Sequence, residues 1–169
     1  MNGLELLGEG ESSHETVCEL IEKFNFFSDL DRDEIELLAA WVKAYSAPVG
    51  SYIFKEGSTS AGLCFIVQGD VSIFKETTPD EHMKIADIRA GGTIGEMGII
   101  DGRPLSASAI ASKDSVILMI TRNDFRNLVK ENGNLGVKLL WNIARIISMR
   151  LRQTTGLLAE ISLAQYGGR

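Results

Sequence analysis

Gly95 to Ala111 reads GEMGIIDGRPLSASAIA. Its opening, Gly95-Glu96-Met97-Gly98-Ile99-Ile100, predicts a single short helical turn led by a glycine, a residue that lets the backbone approach a ligand closely. Asp101-Gly102 ends that turn. From Leu105 the residues become small and apolar, Leu-Ser-Ala-Ser-Ala-Ile-Ala, which suits a strand packed tightly on another layer. The first amides of a helical turn have no carbonyl partners, and its dipole favours negative charge. The stretch therefore reads as a cradle for an anion such as phosphate. An ordinary glycine-rich turn, continuing Gly91-Gly92-Thr93-Ile94-Gly95, is the alternative.

Outward from this stretch the chain is punctuated by glycines at 50, 57, 62, 69, 91 and 92. Between them lie the strand-like runs Tyr52-Ile53-Phe54, Leu63 to Val67, Val71 to Lys75 and His82 to Ile88. Leu105 to Ala111 and Val116 to Ile120 close the set. Short strands with turns at this density predict a barrel, roll or sandwich. Upstream, Ser12-x-x-Glu15 and Asp31-x-x-Glu34 read as capping boxes. Each opens a helix, one with Val17, Leu20, Ile21 and Phe24 on one side, the other with Ile35, Leu38, Ala39 and Val42. The second helix is expected to end near Lys43. Downstream, Thr121 or Asn123 caps a short helix that stops at Asn132-Gly133. A long helix follows from about Asn134 to Leu163. Along it Leu140, Ala144, Ile147, Leu151, Thr154, Leu158 and Ile161 alternate by four and three, a coiled-coil seam. Leu139, Ile143, Ile146 and Leu157 form a second apolar stripe suited to lie on the strands. A helix apolar on two sides predicts a homodimer through this element.

The whole-chain figures exclude several classes. One domain fits 169 residues, and a net charge of −6 gives no general attraction to nucleic acid or an anionic membrane. Cys18 and Cys64 have no metal-type spacing and read as free thiols of a reduced, cytoplasmic protein. No signal peptide or membrane-spanning run is present. The histidines, His14 in the leader and His82, are too few and too far apart for a metal-dependent roll, and no nucleophile–base pair stands out. The chain is therefore expected to be neither an enzyme nor a metal protein.

The cassette Gly95-Glu96, a short helix, then Pro104 and Ser106-Ala107 before a strand resembles the phosphate-binding cassette of cyclic nucleotide-binding domains. The module occurs in catabolite activator proteins, protein kinase regulatory subunits and nucleotide-gated channels. Pro48 to Lys75, with its Gly-x-x-Ile-Phe-x-Glu-Gly turn, resembles the first half of the same β-roll, so the likeness covers roughly Phe24 to Thr155. It implies a mainly β fold with flanking helices: a double-stranded β-helix (jelly-roll) β-roll, N-terminal helices and a long C-terminal helix. Residues 1–12 are read as a flexible leader and 13–169 as the domain. Within the domain the roll covers about 44–121, the cassette 95–111 and the C-terminal helices 122–163.

The resemblance also assigns roles. Gly95 and the amides of Glu96 and Met97 would face the cyclic phosphate, Ser106 would donate its hydroxyl, and Glu96 would accept the ribose 2′-hydroxyl. For Glu96 the alternative is an acid placed to meet the helix dipole; for Ser106, a small residue on a crowded strand. Thr154 and Thr155 align with a hydroxyl pair that contacts the purine, although Thr154 also suits a register-setting place in the seam. The family's phosphate-pairing arginine falls on Leu105, which cannot donate. Arg103, two residues earlier, would lie on the same side in an extended segment and could substitute; a solvated turn is the other outcome. The implied ligand is cAMP, with cGMP second. The implied output is a move of the C-terminal helix towards an unknown downstream protein, since the chain ends too soon after it for a helix-turn-helix. The alternative is a degenerate member with no nucleotide, acting as a dimerisation or interaction module.

Overall fold

The computed structural model describes residues 3–7, 11–59, 62–78 and 81–166. Nine strands form two antiparallel sheets among the described residues. The first is ordered β1-β2-β9-β4-β7, from Glu5–Leu6, Lys43–Ala47, Ser115–Thr121, Gly62–Gln68 and Thr93–Ile94. The second is ordered β3-β8-β5-β6, from Tyr52–Phe54, Ser108–Ala111, Asp70–Thr78 and Glu81–Arg89. The roll interior holds Ile53, Phe54, Cys64, Ile66, Val71, Leu105, Ala109 and Ile117. In β5 Val71 and Ile73 turn inwards, while Ser72 between them is also buried, so that strand is covered at its start on both faces.

Helices α1 (Glu11–Glu22) and α2 (Arg32–Ala39), joined through a 3-10 turn at Asn25–Phe27, share a second core with α4 (Arg122–Glu131) and α5 (Gly133–Tyr166). Phe24, Phe26, Phe27 and Phe65 interlock there at centroid separations from 4.7 to 6.0 Å. The expected box at Asp31 is formed: its carboxylate accepts from the Glu34 N–H, and the Glu34 carboxylate accepts from the Asp31 N–H. Thr121 caps α4 by accepting from the Asp124 N–H. The side chain of Ser12, and with it the box expected there, lies outside the described residues. Among the described residues no helix is long and apolar enough to cross a membrane. Both cysteines are free and buried.

Four expectations are corrected. The leader is not wholly loose, because Glu5 and Leu6 pair with Ser46 and Tyr45 and extend the first sheet by an edge strand. His14 lies on α1 rather than in the leader. Helix α2 stops at Ala39 rather than Lys43, since Lys43 to Ala47 are drawn into β2 by pairing with β9. On α5, Leu139 and Ile143 are buried as expected, but Leu157 is exposed and Ile147, assigned to the seam, packs on the helical core. The reason is length: a 34-residue helix spans about 50 Å. Its last turns run past the body, and residues 151–164 are exposed throughout.

Lys138 and Asn142 fasten the first half of α5 to the N-terminal helices. Lys138 pairs with Glu34 at 2.7 Å, and Asn142 donates to the Phe26 carbonyl and the Asp29 carboxylate, both at 2.9 Å. The second half carries the exposed Leu151, Leu158 and Ile161 of the expected seam.

Candidate functional site

Gly95 ends β7 and opens α3 (Glu96–Asp101) with φ of 90°, in the left-handed region. A Cβ at this position would overlap the Gly62 carbonyl oxygen, so both conformation and space require glycine. The first amides of α3, at Glu96 and Met97, have no carbonyl partner within their own helix. Gly102, also left-handed, closes the helix as the Asp101-Gly102 break predicts.

Glu96 is the centre of the site. It is only 4% exposed, and its two oxygens have different partners. One accepts from the Thr93 hydroxyl; the other accepts from the Arg150 guanidinium of α5 at 2.9 Å. Arg150 also donates to the Thr93 carbonyl at 2.5 Å. The cassette is thereby latched to the long helix by a half-exposed cation and a buried carboxylate. A charge this deep is tolerated because both oxygens are satisfied.

The remaining expected residues differ in exposure and surroundings. Met97 is exposed beside Glu96, and Ser106 is exposed at the start of the segment leading into β8. Leu105 is 8% exposed and belongs to the roll interior. Its N–H donates to the Ser58 carbonyl, and its carbonyl accepts from the Gly57 N–H, both at 2.9 Å. Arg103 takes the solvated-turn outcome. Its N–H donates to the Asp101 carboxylate at 2.9 Å, its side chain is exposed, and no ion pair forms on it among the described residues. Thr154 and Thr155 stand exposed one turn beyond Arg150, and the Thr155 hydroxyl donates back to the Leu151 carbonyl at 2.8 Å. Among the described residues no hydrogen bond joins either to the cassette.

Sequence reading missed Thr93, Arg150, Lys75 and Glu56. Thr93-x-x-Glu96 has the spacing of a hydroxyl–carboxylate pair, and Arg150 lies four residues before Thr154 on the same face of α5. The Thr93–Glu96 signal was local and readable, whereas the reach of Arg150 to Glu96 joins residues 54 apart and depends on how α5 packs. The pairing of Lys75 with Glu56, and its bond of 2.8 Å to the Ser106 carbonyl, depends on strand packing. The Glu76 N–H and the Lys75 ammonium hold the Glu56 carboxyl below its ordinary value. A cavity of about 800 Å³ lies behind the latch, between α5 and the 3-10 turn, lined in part by Phe26, Gly92, Thr93, Trp141 and Arg150. Neither Met97 nor Ser106 lines it.

A roll of two antiparallel sheets, a left-handed glycine opening a short helix, and a buried carboxylate joined to a long C-terminal helix make up the candidate site. The family model for the cyclic nucleotide-binding domain matches residues 46–132, just over half of the chain, and the chain belongs to that family. It is 27% identical over 127 residues to the cyclic AMP receptor protein of Thermus thermophilus, covering 75% of this chain and 57% of that one. The chain thus spans little more than half the length of that relative. A crystal structure of a cyclic nucleotide-binding domain from Methylobacillus flagellatus KT superposes with a TM-score of 0.78 at 29% identity, covering 93% of this chain and 88% of its own. The Thermus thermophilus catabolite activator protein gives 0.69 at 26% identity, covering 82% and 63%.

Proposed function

We propose that this chain is a regulatory domain that binds a cAMP-type cyclic nucleotide, catalyses no reaction, and signals through α5. One observation carries the reading: the Glu96 carboxylate, in the position the family uses for the ribose, is held by Arg150 of the very helix that would report binding. A 2′-hydroxyl arriving at Glu96 would compete with or add to that latch. Binding would then redistribute α5 between its poses by the difference in affinity for them. The first-turn amides of α3, which have no carbonyl partner within their own helix, and the Ser106 hydroxyl would complete the cradle. The name of the Thermus relative supports cAMP over cGMP.

In this reading the domain is cytoplasmic and works as a homodimer, with Leu151, Leu158 and Ile161 of α5 meeting their copies. Its partner is a downstream protein rather than nucleic acid or membrane. Thr154 and Thr155 would reach the purine only once α5 has moved or paired. The second reading, a nucleotide-free interaction module, is favoured by one feature. Leu105 is packed into the interior and leaves the phosphate without the family's arginine.

Calorimetric titration with cAMP, cGMP and 5′-AMP separates the two. The first reading expects saturable heat with cAMP, weaker binding of cGMP, and much weaker binding of the linear nucleotide. Absence of heat with both cyclic nucleotides at millimolar concentration leaves the module reading.

A further inference from the structure

We infer that Lys75 supplies the phosphate-facing positive charge that Leu105 cannot, with Glu56 holding that charge in reserve. The inference rests on the cyclic nucleotide reading above and names the residue that adapts this particular chain to it.

Strand β5 sends Val71 and Ile73 into the roll, and the two-residue period of a strand puts Lys75 on the same face. In the β5–β8 register Phe74 stands opposite Ser108, so Lys75 falls beside the segment that carries Ser106 into β8. Its ammonium donates to the Ser106 carbonyl at 2.8 Å and to the Glu56 carboxylate. An ammonium has three donors, and two are thus engaged. The third is available to an oxygen bound at the Ser106 hydroxyl.

The other cations of the region are placed differently. Arg150 is committed to Glu96 and the Thr93 carbonyl, and Arg103 extends from an exposed turn. Glu56 is itself fixed: its second oxygen accepts from the Glu76 N–H at 2.9 Å, and its own N–H donates to the Ser108 hydroxyl at 3.0 Å. As a structural pair alone, Lys75–Glu56 would be a half-exposed surface bridge of small consequence. What distinguishes it is the bond to the cassette's own backbone. An ammonium already part-neutralised by a carboxylate, and lacking the bidentate fork of a guanidinium, makes a weaker phosphate site than the family's arginine.

The test uses the intact chain, titrated with cAMP. Lys75→Met is expected to weaken binding about tenfold, the scale of one charge-assisted hydrogen bond. Glu56→Gln is expected to strengthen binding by roughly threefold, because the ammonium is released from its competitor. Lys75→Arg is expected to retain binding, with unfolding midpoints confirming that all three variants fold. If Lys75→Met binds like the parent, or if Glu56→Gln weakens binding in step with it, the pair is a strand staple and the inference is overturned. A parent that binds neither cyclic nucleotide overturns the functional reading and this inference together; a binding parent with an unaffected Lys75→Met overturns this inference alone.

Discussion

Leu105 occupies the family's arginine position yet is packed against the roll interior, so replacing it tests packing and chemistry at once. Leu105→Arg removes a buried aliphatic side chain, a loss of about 2–4 kcal/mol in comparable sites, unless the guanidinium extends to the rim. The expected outcome is a chain with a lowered unfolding midpoint that recovers on adding cAMP, more strongly than the parent gains. A variant that is destabilised and unaffected by cAMP would mean that the rim cannot present an arginine to a phosphate. Gly95 is the stricter position. Gly95→Ala combines a positive φ with overlap on the Gly62 carbonyl, and is expected to cost about 2–4 kcal/mol in chemical denaturation. At this scale the sequence was informative wherever the cause was local. The glycine-led turn at Gly95, its stop at Gly102 and the Asp31 box follow from residues within four positions of one another. The environment of Leu105 was not readable, because its neighbours in the core come from distant strands.

Among the described side chains of α5, Arg150 alone hydrogen-bonds to the cassette, through Glu96. Arg150→Gln is expected to lower stability by about 1–3 kcal/mol, the range for leaving a buried acceptor short of a partner. It is also expected to speed hydrogen exchange in the turns of α5 around residue 150, while those around Lys138 and Asn142 stay protected. Uniform loss of protection along the helix would mean that the latch is not a separate fastening. The length of α5 and its two apolar sides were legible as periodicity. Where it leaves the body was not, because exposure of Leu157 depends on how far the roll extends beneath it. Strands β2 and β7 fall within the expected roll but were not picked out as strands, for a related reason. Lys43 to Ala47 and Thr93 to Ile94 carry little intrinsic pattern and become strands by pairing with β9 and β4.

For the molecule as a whole, the exposed Leu151, Leu158 and Ile161 on a projecting helix predict self-association. Sedimentation at micromolar concentration is expected to give a dimer for the parent and a monomer for a Leu151→Asp, Leu158→Asp double variant; a monomeric parent would remove the dimer from the account. Stability should fall in acid. Glu56 is held low by the Glu76 N–H and Lys75, and Asp87 by Lys84 and Ser72, from ordinary values of 4.5 and 3.8. With both folded values depressed, the unfolded chain binds more protons in that window. The stabilisation is present above it and lost as pH falls through the folded values. Urea midpoints at pH 6 and pH 3 should differ less for Glu56→Gln than for the parent. Sheet order could not be read from the chain at all, since β1 to β9 interleave across two sheets.

If Glu96 reads a ribose at a phosphate cradle joined to α5, calorimetric titration should separate cAMP from its 2′-deoxy analogue. Loss of one hydrogen bond to a carboxylate predicts binding about ten- to a hundredfold weaker for the analogue. Equal affinity for the two nucleotides would mean that Glu96 does not read the ribose.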